Sequence, residues 1–203
     1  MRDKSHCIFE KQQPMARGLT EYLHNLRLTR QELSGKRILD IGAGLAQFGE
    51  DIKREGIDAK IVSLDPLYAL PIEERRSVAR EEDMTKAQGA VIDKGASQTH
   101  PLVGGSSKGL PFRDGSFDLV VSNFGPPYNL ATIAEMEEFV LEGLRVLNEI
   151  GELRLYPNTH LDDKQRMIIE KFLETLRARD DITVESQTGF TVIIKKNNKR
   201  ADR

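Results

Sequence analysis

The chain has a single cysteine, Cys7, so no intrachain disulfide can form. It has no Cys-x-x-Cys pair and no Cys/His cluster, which argues against a zinc site. A basic excess is also missing: 30 Lys and Arg stand against 32 Asp and Glu, a net charge of −2. That balance disfavours a duplex nucleic acid as partner without excluding one. No apolar run approaches membrane-spanning length. The opening Met1-Arg-Asp-Lys-Ser-His6 lacks the apolar core of a secretion signal, and no repeat is visible. These absences lead us to expect a soluble protein of the reducing cytoplasm with no membrane partner. At 203 residues it suits one domain, 1–203, with a sizeable core.

What is present centres on Lys36-Arg-Ile-Leu-Asp-Ile-Gly-Ala-Gly-Leu-Ala-Gln-Phe-Gly49. Ile38, Leu39 and Ile41 form a short apolar run, as in a buried parallel strand. Gly42 and Gly44 follow, with Ala43 between them, and Leu45 to Lys53 continues as a helix with Phe48 and Ile52 on one face. Strand, glycine turn and helix open a nucleotide-binding unit in which the backbone can approach a ligand closely. A pyrophosphate-gripping turn would carry a third glycine where Gln47 stands. Instead an acid, Asp40, precedes Gly42 by two residues, which suits a cationic ligand better than a pyrophosphate.

Two later segments extend the pattern. Ala59 to Asp65 reads as the second strand, ended by Pro66. Asp65 lies about twenty residues beyond the glycines, where an acid can take both hydroxyls of a ribose. Gly109-Leu-Pro-Phe-Arg-Asp-Gly-Ser-Phe-Asp-Leu-Val-Val-Ser122 places a tight Asp114-Gly115 turn before a fourth strand, Phe117 to Ser122.

Taken in order, these segments resemble the class I S-adenosylmethionine-dependent methyltransferases. Asp40-x-Gly42-x-Gly44-x-Ala46 is similar to their first motif, and Leu110 to Asp118 to their Leu-Pro-Phe-x-Asp-x-Ser-Phe-Asp segment. The resemblance spans roughly Lys36 to Lys195. It implies S-adenosylmethionine as cofactor, held by Asp40, Gly42, Ala43, Gly44, Gln47, Asp65, Pro66, Ser106, Leu110, Ser122 and Asn123. The family often places an adenine-binding acid where Ser106-Ser107 stands, so a hydroxyl or backbone group is expected to substitute. Asn123 and Pro126-Pro127-Tyr128 echo the Asn-Pro-Pro-Tyr corner of enzymes that methylate amino groups, interrupted here by Phe124 and Gly125. Asn123 and Tyr128 are therefore the catalytic candidates. A small-molecule acceptor is favoured, with nucleic acid or protein amino groups as alternatives. A nucleotide-binding oxidoreductase and a non-catalytic cofactor-binding module share the architecture and stay open.

The remaining chain completes a doubly wound, mostly parallel sheet of about seven strands with an antiparallel C-terminal hairpin. Residues 14–34 read as one capping helix starting at Pro14, with Leu19, Tyr22, Leu23 and Leu26 on one face. Residues 71–109 read as a charge-rich helix, Glu73 to Gln88, then a long loop from Gly89 expected to close over the ligand. Within it, Leu102-Val103 is a short third strand and His100 a surface histidine. A helix over Glu135 to Asn148 leads through Gly151 to a fifth strand, Glu152 to Tyr156. Another helix covers Lys164 to Ala178. Ile182 to Ser186 and Phe190 to Lys195 pair as a hairpin around Thr188-Gly189, and 196–203 reads as a polar tail.

Overall fold

The computed structural model describes residues 16–78, 86–94, 97, 99–127, 130, 132–156, 163–186 and 191–197. Its strands are β1 (Arg37–Ile41), β2 (Lys60–Asp65), β3 (Leu102–Gly104), β4 (Phe117–Asn123), β5 (Leu147–Tyr156), β6 (Ile182–Ser186) and β7 (Val192–Lys196). They form one sheet in the order β3-β2-β1-β4-β5-β7-β6. β1 to β5 pair in parallel, β7 joins β5 antiparallel, and β6 closes that edge antiparallel to β7. The expected doubly wound sheet with its C-terminal hairpin is therefore found.

The period of two along each strand divides the side chains between two faces. Leu39 and Ile41, Leu64, Val120, Leu153 and Leu155 pack under α6 (Ile133–Val146) and α7 (Asp163–Arg177). Their alternates Ile38, Ile61, Leu119 and Val121 pack under α1 (Leu19–Asn25) and α3 (Gln47–Arg54). Phe48, Phe139 and Phe172 are fully enclosed in these layers, each worth about 2–3 kcal/mol of burial. The same alternation turns Asp40, Ser63 and Arg154 toward the α1/α3 face, where β1, β2 and β5 bring them into one lateral row through Val121. A buried polar row needs hydrogen-bond partners of its own. Arg154 donates to the carbonyls of Leu26 and Arg27 and to Glu32 and Glu152.

Several boundaries differ from the sequence reading. The expected single helix over 14–34 is two, α1 and α2 (Arg30–Leu33), because Arg27 turns left-handed at φ 51° and Thr29 caps a fresh start with Glu32. Residues 1–15 lie outside the described residues. The charge-rich stretch resolves into α4 (Ile72–Val78) and α5 (Lys86–Lys94), with the Glu82 end of the expected Glu82–Lys86 pair outside the described residues. Residues 89–109 are not one long loop. Val91 and Ile92 of α5 are buried against Ala43, Leu45, Leu67 and Tyr68, and β3 is paired to β2. β5 begins at Leu147, five residues early, with a register shift against β4 where the glycine turn was expected. Lys196 closes β7 and donates to the Leu147 carbonyl, while 198–203 and the hairpin connection 187–190 lie outside the described residues.

The Leu110 to Asp118 segment has a structural explanation. The Arg145 guanidinium, from α6, donates to the carbonyls of Leu110 and Phe112 and to the carboxylates of Asp114 and Glu142. Asp118 takes the backbone N–H and the guanidinium of Arg37, joining the starts of β1 and β4.

Candidate active site

The carboxyl ends of β1, β2 and β4 meet at the glycine turn. Gly42, Gly44 and Ala46 all adopt left-handed backbone, with φ 76°, 55° and 58°. The N–H groups of Gly42 and Ala43 donate to the Leu64 carbonyl, at 2.9 and 3.3 Å. Asp65 draws the turn against the end of β2: its two oxygens accept from Gly44 N–H and Leu67 N–H, each at 2.9 Å. Tyr68, in the 3-10 turn Pro66–Ala69 that Pro66 opens, donates to the Gly44 carbonyl at 2.8 Å. On the other side the turn touches the corner after β4. A Cβ on Gly42 would stand 3.1 Å from Pro126 and 3.2 Å from the Gly125 backbone, tight contacts added to the strain of a side chain in left-handed backbone.

Asp40 lies beneath this turn with no exposure. Tyr22 of α1 donates to its Oδ1 at 2.9 Å, and Tyr22 itself stacks on Phe48 at 4.0 Å. Burial pushes the Asp40 carboxyl up to about 8, opposed by the Tyr22 bond and reinforced by the charge of Asp65. Burial also raises Asp65, to about 6, against the pull of its two N–H donors. Three buried polar atoms here have no hydrogen-bond partner: Asp40 Oδ2, Ser122 Oγ and Asn123 Nδ2. Unsatisfied groups of this kind each cost about 1–3 kcal/mol. They are concentrated at the ends of the two adjacent central strands.

The N-terminal segment roofs the site. Asn25 donates to Asn123 Oδ1 at 3.1 Å, and Leu19 N–H donates to Asp51 of α3 at 2.9 Å. The Arg17 guanidinium lies 3.9 Å from the centre of the Phe124 ring, which meets Tyr156 edge-on. Phe124 holds a left-handed φ of 62°, rare for a bulky side chain.

The other expected residues are placed as follows. Gln47 opens α3 and is engaged by Asp51 and Gln88. Ala43 is buried beside Leu67 and Tyr68. Ser106 is exposed and bonds the Lys108 carbonyl within its own turn. The Leu110 side chain is in the core and its N–H donates to Glu142. Tyr128 lies outside the described residues. His100 is not a surface residue. It is buried under α3, with Nε2 2.9 Å from Ser63 Oγ and Nδ1 close to Ser97 and Thr99, and burial lowers its basicity. The sequence reading missed Tyr22, Asn25 and Tyr68 as partners of the site. Tyr22 was assigned to an apolar face, where its hydroxyl was the signal of a polar neighbour. Among the described residues no three His, Cys, Asp or Glu side chains gather to hold a metal, and no helix is long and apolar enough to cross a membrane.

A family model for the methyltransferase domain matches residues 39–155, more than half of the chain. The chain belongs to the methyltransferase-domain family. The methyltransferase matches no curated protein in sequence. Its fold is similar to that of a candidate S-adenosyl-L-methionine-dependent methyltransferase of Methanococcus maripaludis, at 18% identity, 98% and 91% coverage of the two chains and a TM-score of 0.58. It is similar to a Pyrococcus horikoshii protein at 14% identity, 88% and 91% coverage and a TM-score of 0.54. A SAM-dependent methyltransferase of Aquifex aeolicus is similar at 15% identity, 95% and 97% coverage and a TM-score of 0.51.

Proposed function

We propose that this methyltransferase holds S-adenosylmethionine across the ends of β1, β2 and β4 and passes its methyl group to a small nucleophilic acceptor at the corner after β4. The observation that carries this reading is the set of three buried, partnerless polar atoms, Asp40 Oδ2, Ser122 Oγ and Asn123 Nδ2, beside a turn whose backbone is left open by Gly42 and Gly44. Asp40 Oδ2 suits an ammonium, and Asp65 has lone pairs left for ribose hydroxyls beyond those given to Gly44 and Leu67. Ala43, Gln47 and Pro66 flank the turn, and Ser106 and Leu110 take the adenine side.

When bound, S-adenosylmethionine supplies a sulfonium methyl group, which a nucleophile's lone pair takes as the carbon–sulfur bond breaks. The chain orients the acceptor through Asn123 and Tyr128 and keeps water out with α1, an alignment worth up to about 7–11 kcal/mol of barrier. Asn123 is only 2% exposed under this roof, which favours a small acceptor over a nucleic acid or protein. The single cysteine fits a cytoplasmic location.

The test is mass spectrometry of ligand released from the purified protein, with calorimetry using S-adenosylhomocysteine. Release of S-adenosylmethionine or its demethylated product, with binding in the micromolar range, is expected. No release and no binding by folded protein would overturn the reading.

A further inference from the structure

Ser63 of β2 lies beside Asp40 of β1 in the parallel ladder, and both side chains turn to the α1/α3 face. Strands in such a ladder run about 4.8 Å apart, so neighbouring side chains are within reach of each other. Asp40 Oδ2 has no partner, while the Ser63 hydroxyl rests 2.9 Å from His100 Nε2. All three residues are buried. The other ring nitrogen, Nδ1, lies 3.0 Å from the hydroxyl of Thr99, which is exposed. Ser97 also approaches Nδ1, but its hydrogen goes to Glu50 and its oxygen accepts the N–H groups of Thr99 and His100. Asp40, Ser63, His100 and Thr99 thus make one file from beneath the glycine turn to solvent. A neutral imidazole donates from one nitrogen and accepts at the other, which gives the file two satisfied patterns. In one, Ser63 donates to Nε2 and Nδ1–H donates to Thr99. In the other, Thr99 donates to Nδ1 and Nε2–H donates to Ser63, whose own hydrogen is then free for Asp40. The donor's ammonium needs Asp40 ionised, and burial holds a proton on that carboxyl up to about pH 8.

We propose that Ser63 and His100 form a proton wire that empties Asp40 when the donor binds. The Asp40 proton passes to Ser63 Oγ as the Ser63 hydrogen passes to His100 Nε2. The Nδ1 proton passes to Thr99 Oγ1 as the Thr99 hydrogen leaves to water. One proton is released, the other groups end neutral as they began, and Ser63 is left donating to the carboxylate. This rests on the proposed function above, and both residues are positioning residues that act through Asp40. Tyr22, Asp65 and Tyr68 also face Asp40, and Glu50 and Lys53 face His100. Burial raises both tyrosines well above their usual range, lowers His100, and brings Asp65 only to about 6. Above pH 7 the proton in play is therefore that of Asp40. Calorimetry with S-adenosylhomocysteine in buffers of different ionisation heat counts it, and wild type should release about one proton at pH 7. Ser63→Ala, with its fold checked by circular dichroism, should weaken binding about tenfold at pH 7 and less than about threefold at pH 9. Nitrogen NMR of His100, assigned with His100→Gln, should show the wild-type ring changing from Nδ1–H to Nε2–H as S-adenosylhomocysteine is added. Equal weakening by Ser63→Ala at both pH values would reduce Ser63 to a packing residue and overturn the inference. Absence of proton release, or a ring unchanged by the ligand, would overturn it too. Failure of wild type to bind at either pH would instead overturn the donor site itself.

Discussion

Replacing Asp40 by Asn should stabilise the donor-free protein in mild base while removing its hold on the donor. In the unfolded chain this carboxyl ionises near 3.8, and in the fold burial raises it to about 8. Between those values the native state keeps a proton that the unfolded chain has released. The native state therefore binds more protons, and stability falls as pH rises until about 8. Asp65 acts with the same sign but only up to about 6, so the interval from pH 6 to pH 8 reports on Asp40. Two units at 1.36 kcal/mol each set an upper figure of about 3 kcal/mol, and local relaxation should leave about 1–2 kcal/mol. Asparagine keeps an oxygen to accept from Tyr22 and carries no charge. The measurement is denaturant unfolding of wild type and Asp40→Asn at pH 6 and pH 8. Wild type should lose about 1–2 kcal/mol more than the variant over that step. Parallel losses in the two proteins would refute the argument that a buried, partly unsatisfied carboxyl is held here at a cost in stability. The same variant should bind S-adenosylhomocysteine at least tenfold more weakly, for want of an anion facing the ammonium.

Asp65→Ala should cost about 1–3 kcal/mol of stability as well as donor affinity, because Gly44 N–H and Leu67 N–H lose their acceptor; an unchanged melting temperature would contradict this. Gly42→Ala forces a side chain into a left-handed residue 3.1–3.2 Å from Pro126 and Gly125 and should lower stability by about 1–2 kcal/mol with loss of donor binding, whereas wild-type melting and affinity would show the turn has slack. Gly49→Ala would drive a Cβ into the His100 imidazole and should cost about 2–3 kcal/mol. His100→Ala should relieve most of that penalty in a double-mutant cycle, and simple additivity of the two changes would show that the ring is not what Gly49 accommodates.

The parallel strands were legible because an unbroken apolar run bounded by glycine or proline has few other uses in a chain of this length. The glycine turn was legible for the same reason that it works, since left-handed backbone selects glycine at 42 and 44. Ala46, left-handed without being glycine, gave no such sign. The break between α1 and α2 did leave a mark, the Thr29-x-x-Glu32 capping box, inside a stretch read as one helix, and Thr132-x-x-Glu135 likewise marks the start of α6 two residues before the expected Glu135. His100 was misread because a lone histidine among polar neighbours looks exposed; the clue lay far away, in a glycine on the helix face that covers it. The role of Arg145 in shaping the Leu110 segment could not be read, since its carbonyl partners are more than thirty residues distant. At the candidate site the sequence offered Asp40, Gly42, Gly44, Asp65 and Asn123 as candidates, but not the burial of Asp40 and Asn123 or the three partnerless atoms, which depend on α1 folding back over the sheet.

That roof has a consequence for how the protein is made. Asn25 and Leu26, near the beginning of the chain, take donors from Thr191 beside β7 and Arg154 of β5, and Asn25 reaches Asn123 of β4. A polypeptide leaving the ribosome can form β1, the glycine turn and α3 early and dock Tyr22 and Leu19 on them, but the Asn25 end of α1 gains its anchors on β4, β5 and Thr191 only as those segments emerge. The roof over the crevice is thus seated on α3 early and fastened at its Asn25 end late, so the crevice is closed fully only when the C-terminal strands are in place.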